Sequence, residues 1–464
     1  MNTSRRILTA TCITCFVGPF MASSINVAIP TMASEFAMPA TQLSWIITVF
    51  LLSTAATLLP CGKLSDTLGR RHSFMIGVVA FAIFTLGAAC SPTIFLLIGF
   101  RAFQGVALSL VFASYLPLLL ESHPAEQGKV IGISSASTYL GLSAGPFIGG
   151  ILTQYVSWRA VFFFSFFALL FAYICMAAIQ EEWFGEQETR FDWTGSLLSM
   201  TAIICTIYGI SAFTSMSIGK YMFFTGLILI IVFLWHEKQI SYPIVPLSLF
   251  HNLAFSMSNL ASLAHYSATY AISFLLSFQL QLVLHLNAAS TGFILLIHPI
   301  TMAICSTKAG SLADRHEPRY IASMGMALTA FCLFLFAFLP NISIALTILL
   351  LIFLGIGAAL FVTPNTSAIL TAAPEKQHSI ASSVLALMRI LGQAISMAAV
   401  SLIFVHTTTY LSNYEQAITQ GVHWSFVILS FTCFIGIFAS LARGPSNKGT
   451  ACKSPFVRND KKNI

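Results

Sequence analysis

Apolar positions in this chain run on rather than alternate. Stretches of about twenty hydrophobic residues recur from one end to the other, separated by short polar loops, and no ten-residue segments of period-two alternation intervene. Fourteen runs are read, at about 7–29, 44–61, 73–90, 94–118, 130–153, 159–179, 195–213, 220–235, 254–284, 289–309, 319–339, 342–368, 379–404 and 422–441. A hydrocarbon core of about 30 Å is crossed by about 20 residues of helix, so each run predicts one transmembrane helix. Helix satisfies its own backbone in lipid, whereas a barrel strand would show the missing alternation. The fold class is therefore all-α, a polytopic membrane protein of about 14 helices.

Composition sharpens this reading without changing it. The chain is 57% hydrophobic, 13% aromatic and only 8% charged, far from the mixture of soluble domains. With the N-terminus inside, all but four of the 22 Lys and Arg fall on the cytoplasmic side or in the tail; Arg159 and Lys220 lie outside, and Arg101 and Arg389 within runs. That bias predicts a multi-pass plasma-membrane protein with both termini cytoplasmic. The net charge of +7 traces to a basic tail at 442–464, which points to anionic lipid headgroups and not to nucleic acid. Arg5 and Arg6 also suit a twin-arginine export signal, against which the many later runs argue. Cys12 and Cys15 form a C-x-x-C by spacing alone, so no metal site or cofactor is expected. No loop is long enough for a catalytic domain, and no nucleophile cluster is visible, so an enzyme is not expected.

The charges that remain are concentrated. GKLSDTLGRR at 62–71 is echoed by GSLADRHEPR at 310–319, with Gly62, Leu64, Asp66 and Arg71 falling on Gly310, Leu312, Asp314 and Arg319. Each copy follows the second run of a set of six. The repeat predicts a first six-helix bundle over 1–180, a linker with two inserted helices over 181–253 and a second bundle over 254–441.

GKLSDTLGRR resembles the G-x-L-x-D-x-x-G-R-R signature of the major facilitator superfamily. RAFQG at 101–105 resembles that family's R-x-x-Q-G element, and GLSAGPFIGG at 141–150 the G-x-x-x-G-P-x-x-G-G of its exporters. INVAIP at 25–30, WRAVFF at 158–163 and SSVLALMRILGQA at 382–394 complete a resemblance to the fourteen-span drug/proton antiporter branch over nearly the whole chain. The resemblance implies two bundles, alternating access and outward export of small molecules.

Roles for the motif residues follow from their chemistry. Gly62, Asp66, Gly69, Arg70 and Arg71, with Gly310, Asp314 and Arg319, are expected to form a cytoplasmic gate. An aspartate there can sit at the positive N-terminus of a helix from the other bundle while the arginines reach carboxylates or lipid phosphates. The second copy has Glu317 and Pro318 in place of Gly69 and Arg70, and should be weaker. Gly141, Gly145 and Gly149 lie on one helix face and, with Pro146 and Gly150, are expected to form a pivot between bundles. Arg101 and Arg389 are costly at mid-membrane and so are candidates for a cavity, alongside Gln104 and Asn26.

One departure from the family pattern bears on coupling. Counting five residues back from Asn26, where drug exporters of this family carry an aspartate, gives Met21, and none of the fifteen acids falls near mid-membrane. If protons drive this chain, His265 and His298 are the candidates by depth. Two arginines without a carboxylate favour an amphiphilic substrate that is not strongly cationic. The expectation is a monomeric, proton-coupled exporter. The alternatives are an uncoupled or anion-coupled facilitator, and a receptor or scaffold that does not transport.

Overall fold

The computed structural model describes residues 3–36, 45–184, 191–213, 217–280, 284, 286, 288–338, 343–410 and 414–444. Sixteen α-helices are formed among them, and no strand. They are α1 (Thr3–Phe36), α2 (Trp45–Leu68), α3 (Arg70–Ala89), α4 (Ile94–Ser122), α5 (Gln127–Tyr155), α6 (Arg159–Ala177), α7 (Trp193–Ser211), α8 (Ser217–Gln239), α9 (Leu253–Thr269), α10 (Ile272–Phe278), α11 (Ala288–Leu295), α12 (Ile297–Arg315), α13 (Pro318–Phe338), α14 (Ile344–Ala372), α15 (His378–Tyr410) and α16 (Tyr414–Ala442).

The ninth and tenth apolar runs each emerge as two helices in succession, α9 with α10 and α11 with α12. Twelve stretches are long and apolar enough to cross a membrane unaided. Those outside the set include α9, with only 17 residues, and α5, which glycine and serine dilute. An apolar count alone understates such helices, because small residues lower hydropathy where helices pack tightly.

Several starts are written locally. Thr93, Asp192, Asn252 and Ser343 each accept a backbone amide of the first turn of α4, α7, α9 and α14, satisfying donors that have no intrahelical partner. Between α2 and α3 the chain turns at Gly69 with φ of 100°, a conformation that a side chain would strain.

Packing follows the sequence repeat. One buried apolar cluster lies wholly between Ile7 and Ile179 and a second between Ala261 and Ala439. A third joins them, running from Ala55, Leu116 and Ile131 through Ile203 and Phe233 of the inserted pair to Ile369 and Ile380. Within that pair, α7 packs on both α2 and α15, and Trp45 stacks on Tyr208 at 5.8 Å. Large apolar side chains such as Phe95, Phe167, Ile231 and Phe431 are more than half exposed. In water such a surface would aggregate; in a bilayer it is the lipid-facing skin.

Candidate functional site

At the end of the bundle that carries GKLSDTLGRR, here called the basic end, the two clusters are tied by buried charge. Asp66 and Arg70 are fully buried, and Arg70 donates from Nε and Nη2 to Asp66 Oδ1 at 3.1 and 3.0 Å. The same guanidinium reaches Glu121 of α4 and the carbonyl of Glu375, which precedes α15 in the other bundle. Asp66 itself lies beside Ser379 and the backbone of Ile380 in the first turn of α15. This is the positive end of a helix, where a carboxylate is stabilised. A Cβ on Gly62 would lie 2.6 Å from Ser383 Oγ, so the glycine is what allows α2 and α15 to meet.

The second copy repeats the arrangement with the bundles exchanged. Asp314 at the end of α12 accepts the amides of Gly128 and Lys129 at 2.9 and 3.1 Å, at the start of α5. Gly310 approaches so closely that a Cβ there would lie 2.0 Å from the Gly128 carbonyl oxygen. Arg319 takes no part in this contact. Its guanidinium donates to Tyr320 Oη at 2.7 Å and lies over the same ring. Arg71 instead pairs with Glu182 at 3.8 Å, and that carboxylate also accepts the amides of Arg71 and His72 at the start of α3.

The glycine stripe of α5 differs from its expected role. Gly141, Gly145 and Gly149 pack against Phe16, Ser23 and Ser24 of α1, in the same bundle. Gly150 meets only Val27 at an ordinary 3.7 Å, and Pro146 is exposed. The stripe that faces the other bundle is Gly128 and Gly132, a few turns earlier on the same helix. Two glycine faces on one helix explain why spacing alone misplaces the pivot.

Arg101 and Gln104 are likewise placed inside the first bundle. Both are fully buried; Arg101 donates to the Ile46 carbonyl and to Gln104 Oε1, each at 3.0 Å, and Gln104 donates to Thr85 at 2.8 Å. The guanidinium lies 3.9 Å over Phe50. This staple holds α2, α3 and α4 together, so the expectation that both arginines share a cavity is not met. The side chain of Asn26 lies outside the described residues. Met21 is fully buried and its sulfur accepts a hydrogen bond from Ser165 at 2.9 Å, so the position is packed as core.

Arg389 is different. It lines a space of about 30 Å³ between the bundles, with Tyr115 of α4, Thr138 and Tyr139 of α5, Tyr266 of α9 and Thr366 of α14. Its guanidinium stands 5.2 Å from the Phe112 ring centre. An organic solute needs several hundred Å³, so the bundles must part before one can enter. His265 and His298 lie elsewhere, in the second bundle, near enough for their charges to interact. The His265 ring is 4.3 Å from Phe361, and its Nδ1, like His298 Nε2, is buried without a hydrogen-bond partner among the described residues.

The sequence pattern does not single out Tyr115, Tyr139, Tyr266, Glu121 or Glu182. A usable signal exists for the tyrosines. With 41 Phe and 12 Tyr in the chain, a phenol at mid-span is a polar choice where phenylalanine is the habit. No local signal marks Glu121 or Glu182, because their partners are 51 and 111 residues away.

A family model described as Major Facilitator Superfamily matches residues 11–258 and again 258–458. The riboflavin transporter RibZ of Clostridioides difficile (strain 630) is 30% identical over 443 residues, 94% of this chain and 96% of that protein. The multidrug efflux pump LfrA of Mycolicibacterium smegmatis is 27% identical over 394 residues, covering 84% and 78%. Among solved structures, the human organic anion transporter MFSD10 superposes with a TM-score of 0.66 at 13% identity, over 95% of this chain and all of that one. The proton:xylose symporter XylE gives 0.65 at 13%, over 95% and 96%.

Proposed function

The chain belongs to the major facilitator superfamily of membrane transporters, and on that premise we propose that it exports amphiphilic small molecules across the plasma membrane by alternating access. The observation that carries this reading is the pair of exchanged contacts at the basic end, Asp66 at the start of α15 and Asp314 at the start of α5. Contacts made in only one bundle orientation bias that orientation by their differential free energy. With both termini in the cytoplasm, as the arginine distribution argues, the closed basic end faces inward and the substrate leaves outward. The basic tail, proposed to bind anionic lipid, lies outside the described residues from residue 445 on, and the monomer is the proposed working unit.

Riboflavin and drugs, named for the relatives, are the first substrates to try. The proton gradient is the proposed driving force, with His265 or His298 as the titrating group. Met21 favours a second reading, an uncoupled or anion-coupled facilitator, because a thioether cannot carry a proton. Inverted vesicles loaded through this chain test both. Riboflavin or drug accumulation that collapses with the pH gradient supports proton-coupled export; accumulation indifferent to it favours the second reading; no flux of any amphiphile rejects transport of this class.

A further inference from the structure

The two arginines that fall within apolar runs, Arg101 and Arg389, are treated differently by the fold. Arg101 is fully buried and donates from Nε to a backbone carbonyl and from Nη1 to Gln104, leaving only Nη2 without a partner among the described residues. Arg389 forms no hydrogen bond or ion pair among the described residues, is only partly buried, and faces the inter-bundle space. Around it stand the phenols of Tyr115, Tyr139 and Tyr266 and the ring of Phe112, drawn from helices of both bundles. A guanidinium within an apolar run and without a counter-charge is costly. Tyr139 and Tyr266 hydrogen-bond each other and Tyr115 bonds the Cys15 thiol, so the guanidinium is the group of this cluster that lacks an acceptor.

We propose that Arg389, Tyr115, Tyr139 and Tyr266 form a subsite for planar aromatic anions, with a carboxylate or comparable delocalised oxyanion on Arg389 and the aromatic body between the phenol rings. The inference rests on the transport reading and names its substrate class. A carboxylate matches the guanidinium fork in two parallel hydrogen bonds, and the tyrosine hydroxyls can donate to the same oxygens. Stacked rings supply the apolar contact. Because the lining comes from both bundles, a bound anion draws them together, which makes the occupied site the occluded one. An aromatic cation of the same shape meets the guanidinium as like charge and is excluded.

The test uses the purified full-length protein in lipid nanodiscs and three probes of matched ring shape: naphthoate, naphthamide and naphthyltrimethylammonium. Binding is measured by calorimetry, without any need for flux. Naphthoate should bind, naphthamide more weakly, and the cation not at all. Arg389→Gln should weaken naphthoate by about ten- to a hundredfold, as expected for a lost charged hydrogen-bonding partner, and leave naphthamide unchanged. Arg389→Lys should recover part of the loss, since charge remains without the fork. Tyr266→Phe should weaken naphthoate less than Arg389→Gln does. If the wild type binds none of the probes, or binds anion and cation alike, the subsite is wrong. Equal weakening of naphthoate and naphthamide by Arg389→Gln would mean a packing role and also reject it. Should Arg389→Gln not fold, the wild-type ranking and the lysine variant decide. Absent vesicle flux with intact probe discrimination would sink the export reading alone; flux without discrimination would sink only this subsite.

Discussion

Asp314 of the second bundle caps the first turn that opens on Gly128 of the first bundle, with its carboxylate 2.9 Å from the Gly128 amide. Glu126, at the N-cap position of α5 itself, makes no side-chain cap bond. The helix start is thus completed from across the interface, and only when the basic end is closed. Losing a cap costs about 0.5–2 kcal/mol, so Asp314→Ala should reduce the closed population by about two- to thirtyfold. Spin labels near the ends of α5 and α12 report the distance; an unchanged closed population would rule out a gating role.

Asp66→Asn should act on the same equilibrium and not on substrate choice, because Asp66 touches Arg70 and the start of α15 and is absent from the Arg389 cavity lining. Transport is expected to fall while binding stays within about threefold, less than the tenfold that about 1.4 kcal/mol would give. Selective loss of one substrate with others carried normally would contradict this.

Two glycine-to-alanine changes separate packing within a bundle from motion between bundles. At Gly145 the new Cβ would lie 1.8 Å from Ser23 Oγ, inside the first bundle. Overpacking of this kind costs about 1–3 kcal/mol, so Gly145→Ala should lower the melting temperature. At Gly310 the clash is with the Gly128 carbonyl of the other bundle. Gly310→Ala should therefore leave melting of the open form unchanged and hold the basic end apart, as seen in the same spin-label distances.

Arg101→Lys keeps the charge but cannot reach both the Ile46 carbonyl and Gln104 from one fixed fork. Each lost charge-assisted bond costs about 1.5–3 kcal/mol. The variant should be less stable to heat in detergent yet bind the same range of substrates. An altered substrate range would place Arg101 in the cavity after all.

On the opposite face, Glu35 accepts from Trp158 Nε1 at 2.6 Å and pairs with Arg159 at 2.7 Å. Partial burial opposes ionisation, but Trp158 and Arg159 outweigh it and hold the Glu35 carboxyl below its ordinary value. A depressed carboxyl contributes stability that is present above its unfolded value, near 4.3, and is lost as pH falls through the folded one. Melting temperature measured downward from about pH 5 should fall more for wild type than for Glu35→Gln. The difference should be small, because Glu35 is 40% exposed and water screens such pairs.

His265→Gln and His298→Gln keep a polar side chain that cannot titrate. For whichever histidine couples, accumulation against a gradient should be abolished while downhill exchange continues. If both variants accumulate substrate at the native rate in vesicles, the second reading of the driving force moves ahead.

Run length and continuity in the sequence determine that the chain is helical and spans a membrane, because lipid leaves a backbone no other partner than itself. The repeat of Asp66 at Asp314 likewise makes two related inter-bundle contacts legible, since a charge placed beside an apolar run has few places to go. Direction of packing is another matter. Spacing puts Gly141, Gly145 and Gly149 on one face, yet whether that face meets α1 or the second bundle depends on how α5 is rotated, which its other glycine face at Gly128 and Gly132 decides. Arg101 and Arg389 are equally costly residues in equally apolar runs. Tertiary structure alone makes the first a staple, by bringing Ile46 and Gln104 within 3.0 Å of it, and leaves the second facing Tyr115 and Tyr139 across the seam and Tyr266 from its own bundle. Periodicity is a property of one helix, whereas a side chain's partners belong to helices far away in the chain, and only the packed fold brings them together.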